Sequence, residues 1–133
     1  MKKNFNTVLA IDPGKYKCGV ALVHDHQLVI RDVVEREELI EFVTKILPGQ
    51  GVIVVGDRTG SERLITELKK DIASERIFSV DEHMSTVEAR KKYWAENPPR
   101  GWRRLIPTSL QVPPVPLDGY VAEILAERFL RRC

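Results

Sequence analysis

Cysteine is nearly missing from this chain of 133 residues: Cys18 lies in an apolar stretch and Cys133 is the last residue. Two cysteines so placed offer neither a disulfide framework nor zinc-ligand spacing, so a reducing, cytoplasmic setting is expected. Long apolar runs are missing too. The opening MKKNFNTVLAID has two lysines but an apolar run too short for a signal-peptide core or a bilayer span, so no membrane partner is expected. Histidine is scarce: His24 and His26 flank a polar turn with no further ligand at a suitable spacing for a metal. There is no internal repeat. What is present is ordinary for a globular protein, 43% apolar and 30% charged residues, enough for one domain with a real core.

The net charge of +2 conceals an uneven distribution. Residues 1–89 hold 12 Lys and Arg against 15 Asp and Glu, whereas residues 90–133 hold 9 against 4. A basic C-terminal third on a nearly neutral chain fits a localised anionic partner such as nucleic acid, and equally a solvated basic surface.

Hydrophobic periodicity predicts strands over 7–12, 18–24 and 28–34, the last two joined by a hairpin turn at HDHQ, 24–27. Residues 36–47 place Leu39, Ile40, Val43, Ile46 and Leu47 on one helical face, and Pro48-Gly49 ends that helix. GVIVVG, 51–56, reads as a fully buried strand, 60–73 as a helix and 76–82 as another strand. STVE, 85–88, has the form of a capping box, with Ser85 as the cap and Glu88 as its partner, and opens a helix to Trp94. Six of the eight prolines fall between Pro98 and Pro116, so 95–117 is expected to be a surface loop. A last helix covers 117–131. A strand meander followed by alternating strands and helices predicts an α/β domain, a mixed sheet of about five strands flanked by helices.

Three acidic positions stand where strands stop or a helix starts: Asp12, the pair Asp81-Glu82, and Asp118. Ligands of open α/β sheets gather outside the carboxyl ends of strands. Carboxylates converging there repel one another, and hard divalent cations, Mg²⁺ or Mn²⁺, resolve that conflict. A pair of such ions suits in-line phosphodiester hydrolysis. Alternation along a strand lets only one of Asp81 and Glu82 face the site, and spacing alone does not choose between them. Spacing alone also fits helix-capping and surface acids equally well.

Three blocks, IDPGKYKCGVAL (11–22), VDEHMSTVEAR (80–90) and LDGYVAEILAERFL (117–130), resemble the YqgF (RuvX) family of RNase H-like, Holliday-junction-resolvase-type nucleases. They run from one end of the chain to the other in the family's order, and the middle block is the most specific. The resemblance implies an RNase H-like fold and catalysis by Asp12, Glu82 and Asp118, which also hold the metal, and it selects Glu82 over Asp81. Its substrates would be structured nucleic acid: precursor ribosomal RNA, Holliday junctions or other branched or single-stranded DNA. Lys15, Lys17, Arg100, Trp102, Arg103 and Arg104 would bind it by phosphate contacts and stacking.

The chain departs from the family in several places. Arginine is usual where Lys17 and His83 stand, and Gly-Leu-Pro is usual where this chain has Gly56-Asp57-Arg58. Asp57 is there either a turn acid or an extra ligand. The segment before the last helix is usually short and lysine-rich, and here it is long, proline-rich and arginine-bearing. A catalytically silent nucleic-acid-binding domain is the competing expectation. Actin-like ATPases share the Asp-x-Gly opening but need two such domains around a nucleotide. No long apolar helix face is left over for a large interface, so a monomer or weak homodimer is expected.

Overall fold

In a computed structural model, which describes residues 6–132, five strands form one mixed sheet in the order β3-β2-β1-β4-β5. The strands are β1 (Thr7–Asp12), β2 (Lys17–His24), β3 (Gln27–Glu35), β4 (Val52–Gly56) and β5 (Ile77–Val80). The first three make an antiparallel meander, and β4 and β5 extend it in parallel with β1. This is the α/β layout expected, with an RNase H-like order. The β2–β3 turn is two residues long, Asp25 and His26, both with positive φ (50° and 64°). That is the primed turn whose twist matches a right-twisted hairpin. His24 accepts from or donates to the Thr7 hydroxyl at 2.7 Å and so ties the end of β2 to the start of β1.

Four helices cover the sheet: α1 (Leu39–Ile46), α2 (Ser61–Leu68), α3 (Ser85–Glu96) and α4 (Asp118–Arg132). Alternation along the strands divides the core into two faces. Leu9, Ile11, Val20, Leu22, Ile53 and Val55 pack under Leu39 and Val43 of α1 and Leu64 and Leu68 of α2. Val8, Ala10, Ala21, Val23, Val52, Val54 and Val80 pack under α4 through Val121, Ala122, Leu125 and Phe129, with Ala89 of α3. Asp12 shares its parity with Val8 and Ala10, so it lies on the α4 face. No helix among the described residues is long and apolar enough to cross a membrane.

Several boundaries differ from those the sequence predicts. The helix expected over 36–47 opens with a 3-10 turn, Arg36–Glu38, and the one expected over 60–73 ends as an α-helix at Leu68, although Ile72 stays in the core. The strand expected to reach Glu82 stops at Val80. The capping box is absent: the cap position is Met84 in the left-handed region, φ 61°, and Ser85 is the first, buried residue of α3. Glu88 is drawn instead into an ion pair with Arg128 of α4 at 3.2 Å. The expected loop, 95–117, begins within the last turn of α3 and contains two 3-10 turns, Gly101–Leu105 and Thr108–Leu110. Proline removes the donors a longer helix needs, so only isolated turns form. Gln111 ties them together, its Nε2 donating to the carbonyls of Arg103 and Ile106, both at 2.9 Å. Cys133, Lys2 and Lys3 lie outside the described residues.

Candidate functional site

The carboxyl ends of β1, β4 and β5 meet in a single row. Asp12 pairs with Gly19 across β1 and β2, and Gly56 pairs with Val80 across β4 and β5. Asp12 and Gly56 each follow the last paired residues of β1 and β4, Ile11 and Val55. The two glycines that bracket Asp12 each admit a functional element. A Cβ on Gly19 would run into the backbone carbonyl of Asp118, so the first turn of α4 rests directly on β2 beside Asp12. A Cβ on Gly56 would occupy the place of the Glu82 carboxylate, whose side chain crosses over that glycine towards Asp12.

Glu82 therefore faces the site with Asp12, and its neighbour Asp81 is exposed and turned away. Asp81 instead accepts a hydrogen bond from the His83 backbone N–H at 3.0 Å, holding the turn into α3. Spacing along the chain leaves Asp81 and Glu82 open; the pairing of Gly56 with Val80 and the passage of the Glu82 side chain over Gly56 turn Glu82 towards Asp12. Asp57 proves to be a brace: its Oδ1 accepts from the Glu82 backbone N–H at 3.1 Å. In return the Arg58 backbone N–H donates to Glu82 Oε2 at 2.7 Å. These reciprocal bonds clamp the ends of β4 and β5 together and fix the Glu82 rotamer.

Asp12 is 3% exposed and the Glu82 side chain 7%. Asp12 Oδ1 and Glu82 Oε1 are buried and accept no hydrogen bond. A native structure rarely leaves two such oxygens without partners unless a water, an ion or a chemical role explains them. The Asp12 carboxyl is pushed up to about 8, first by burial, then by the adjacent Glu82 carboxyl, which can accept a hydrogen bond from its protonated form, and further by the charges of Glu82 and Asp118; Arg58 opposes the rise. With one proton the two carboxyls share a hydrogen bond; with none they present adjacent bare oxygens.

Asp118 opens α4 and is near enough to act on Asp12 electrostatically. Yet among the described residues no group of three acidic, histidine or cysteine side chains is close enough together to hold a metal ion. The structure brings two of the three expected acids together and sets the third at the start of α4, within electrostatic range of Asp12. What sequence reasoning missed is Arg58. Its guanidinium reaches both carboxylates, Nη1 at 3.6 Å from Asp12 Oδ1 and Nη2 at 3.7 Å from Glu82 Oε1. The only signal was the departure Gly56-Asp57-Arg58 at the end of a buried strand.

The expected nucleic-acid contacts fall into two places. Lys15, in the turn after Asp12, lines an open cleft of about 610 Å³ with Pro13, Gly14, Arg36, Gly60 and Arg63. Lys17 starts β2 and is exposed. Arg100, Trp102 and Arg103 line a different cavity of about 620 Å³, together with Tyr93, Trp94 and Asn97. Trp102 is 68% exposed, with the Arg103 guanidinium 5.6 Å from its ring centre, and Arg104 is exposed beside them. The Trp94 indole N–H is buried without an acceptor. His83 is exposed and touches neither carboxylate.

No model of a known protein family matches the chain, and no curated protein matches it.

Proposed function

We propose that this chain is a divalent-metal-dependent endonuclease of the YqgF (RuvX) type that hydrolyses phosphodiester bonds in structured nucleic acid in the cytoplasm. The observation that carries this reading is the pair of buried carboxylates, Asp12 and Glu82, with two oxygens lacking any donor. Hard oxygen donors of this kind suit Mg²⁺ or Mn²⁺, and Asp118 at the start of α4 supplies a third carboxylate. Bound there as a pair, such ions supply an activated water and neutralise charge on the leaving oxygen. The chain's own contribution is rigidity. Gly19 and Gly56 set the approach of Asp118 and Glu82, and the Asp57–Arg58–Glu82 clamp stops the carboxylate from swinging away.

Substrate binding falls to the basic residues. Lys15 and Lys17 closely follow Asp12 in the chain. Arg100 and Arg103 line a cavity with an exposed tryptophan on which an unpaired base can stack, and Arg104 follows in the chain. The substrate class is RNA or branched or single-stranded DNA, and the chain acts as a monomer or weak homodimer. A second reading, a catalytically silent nucleic-acid-binding domain, is favoured by one observation: Arg58 already compensates both carboxylates. A cleavage screen over four-way-junction DNA, single-stranded DNA and structured RNA, with Mg²⁺ and Mn²⁺, separates the two. Metal-dependent cleavage abolished by Asp12→Asn supports the nuclease; cleavage that persists in EDTA refutes the metal mechanism. Binding without cleavage under every metal leaves the silent domain.

A further inference from the structure

The Arg58 guanidinium stands where a cation between Asp12 and Glu82 would be expected. It lies within 3.6 and 3.7 Å of one oxygen of each, and these are the same two oxygens that no hydrogen bond satisfies. Both contacts are longer than a charge-assisted hydrogen bond, for which about 2.7–2.9 Å is usual. The guanidinium thus compensates the charge without saturating the oxygens. Its side chain is also 48% exposed, against 4% for Asp12 and 7% for Glu82, so it can swing out to solvent while the carboxylates cannot. The backbone of Arg58 is independently anchored through its N–H to Glu82 Oε2, and so its side chain can leave without loosening the strand ends.

We propose that Arg58 is a resident counter-cation of the Asp12–Glu82 pair, and that a divalent ion binds there only by displacing it. This rests on the metal-dependent reading above. A buried carboxylate pair facing no cation would repel itself and raise the cost of folding. Arg58 relieves that repulsion in the metal-free chain, and the relief is returned as weakened metal affinity. By linkage the two cations exclude each other to the same degree.

The test is a Mn²⁺ binding isotherm, by calorimetry and by the loss of the free-ion spin-resonance signal, on wild type, Arg58→Gln, Arg58→Lys and Arg63→Gln. Arg63 lines the neighbouring cleft and removes the same charge. Arg58→Gln keeps the backbone N–H bond to Glu82, and far-UV circular dichroism checks its fold. Arg58→Gln is expected to bind Mn²⁺ about tenfold more tightly than wild type. Arg58→Lys should fall between them, and Arg63→Gln should stay within about twofold of wild type. Equal, finite affinities for wild type and Arg58→Gln would overturn the role of Arg58 while leaving the metal site standing. An equal gain in Arg58→Gln and Arg63→Gln would also overturn it, as an effect of net charge alone. No binding in any variant would remove both the proposal and the metal-dependent reading.

Discussion

Asp12→Asn should make the metal-free protein more stable, and by an amount that depends on pH in a defined way. In the folded chain the Asp12 carboxyl titrates at about 8, against an ordinary value of 3.8. Between those two values folding takes up a proton, so this residue's contribution to stability falls as pH rises from about 4 to about 8 and is flat beyond. At about 1.4 kcal/mol per unit, a rise of about four units sets a ceiling of about 6 kcal/mol on the penalty at high pH. Arg58 is already counted in that value; water entering the open strand ends trims the figure further, and about 2–3 kcal/mol is the expectation at pH 8. Asparagine avoids the penalty and can donate its amide to Glu82. The assay is urea unfolding of both proteins in EDTA at intervals from pH 5 to 9. Comparing them at each pH cancels every other titrating group that the substitution leaves alone. The difference should favour Asp12→Asn and widen up to pH 8. A constant difference, or a wild type that gains on the variant as pH rises, would refute the buried-carboxylate reasoning. Added Mn²⁺ should reverse the order by stabilising only the wild type.

The two glycines beside Asp12 should respond differently. Gly19→Ala drives a methyl into the Asp118 backbone and should cost about 1–3 kcal/mol of stability by urea unfolding, whereas the methyl of Gly56→Ala meets the Glu82 side chain first, must force that carboxylate from its clamp, and should lose metal binding. Glu82→Gln should abolish cleavage while Asp81→Asn leaves it within a few-fold; the opposite result would show that the wrong acid faces the site. Replacing Arg100, Arg103 and Arg104 together by alanine should weaken nucleic-acid binding and flatten its dependence on salt, and Trp102→Ala should weaken single-strand binding more than duplex binding in titrations of both. Unchanged affinities would return that segment to a structural role.

Strand and helix periodicity made most of the fold legible, because both faces of the sheet are covered and burial writes itself into the residue pattern. Val8 to Ile11 and Val52 to Val55 are buried throughout and read as continuous apolar runs. Where local pattern and tertiary contact disagreed, contact prevailed. Ser85 and Glu88 have the spacing of a capping box, yet Glu88 pairs with Arg128 and Ser85 is buried inside the first turn of α3. Although the choice of Glu82 within its pair comes only from the resemblance, Asp12, the pair Asp81-Glu82 and Asp118 could be singled out from their positions at element ends. Their mutual distance could not, because it depends on which strands adjoin and on what two glycines leave room for. Arg58 was invisible for a related reason: an arginine after a strand looks like any surface cation until the register brings Glu82 beside it.

The seating of α4 on Gly19 also bears on how the chain is made. Residues 7–12 and 17–24 emerge early in synthesis, but one whole face of the sheet they build stays bare until 118–132 have left the ribosome. Until then Val8, Ala10, Ala21, Val23, Val52 and Val54 have no cover, and α3 lacks the helix it packs against. Asp12 likewise has no Asp118 beside it. A nascent or prematurely ended chain would therefore be sticky, a substrate for chaperones and proteases. On the function proposed above, the helix that covers this face is also the one that brings Asp118 to the site, so exposure to quality control and lack of activity would end together.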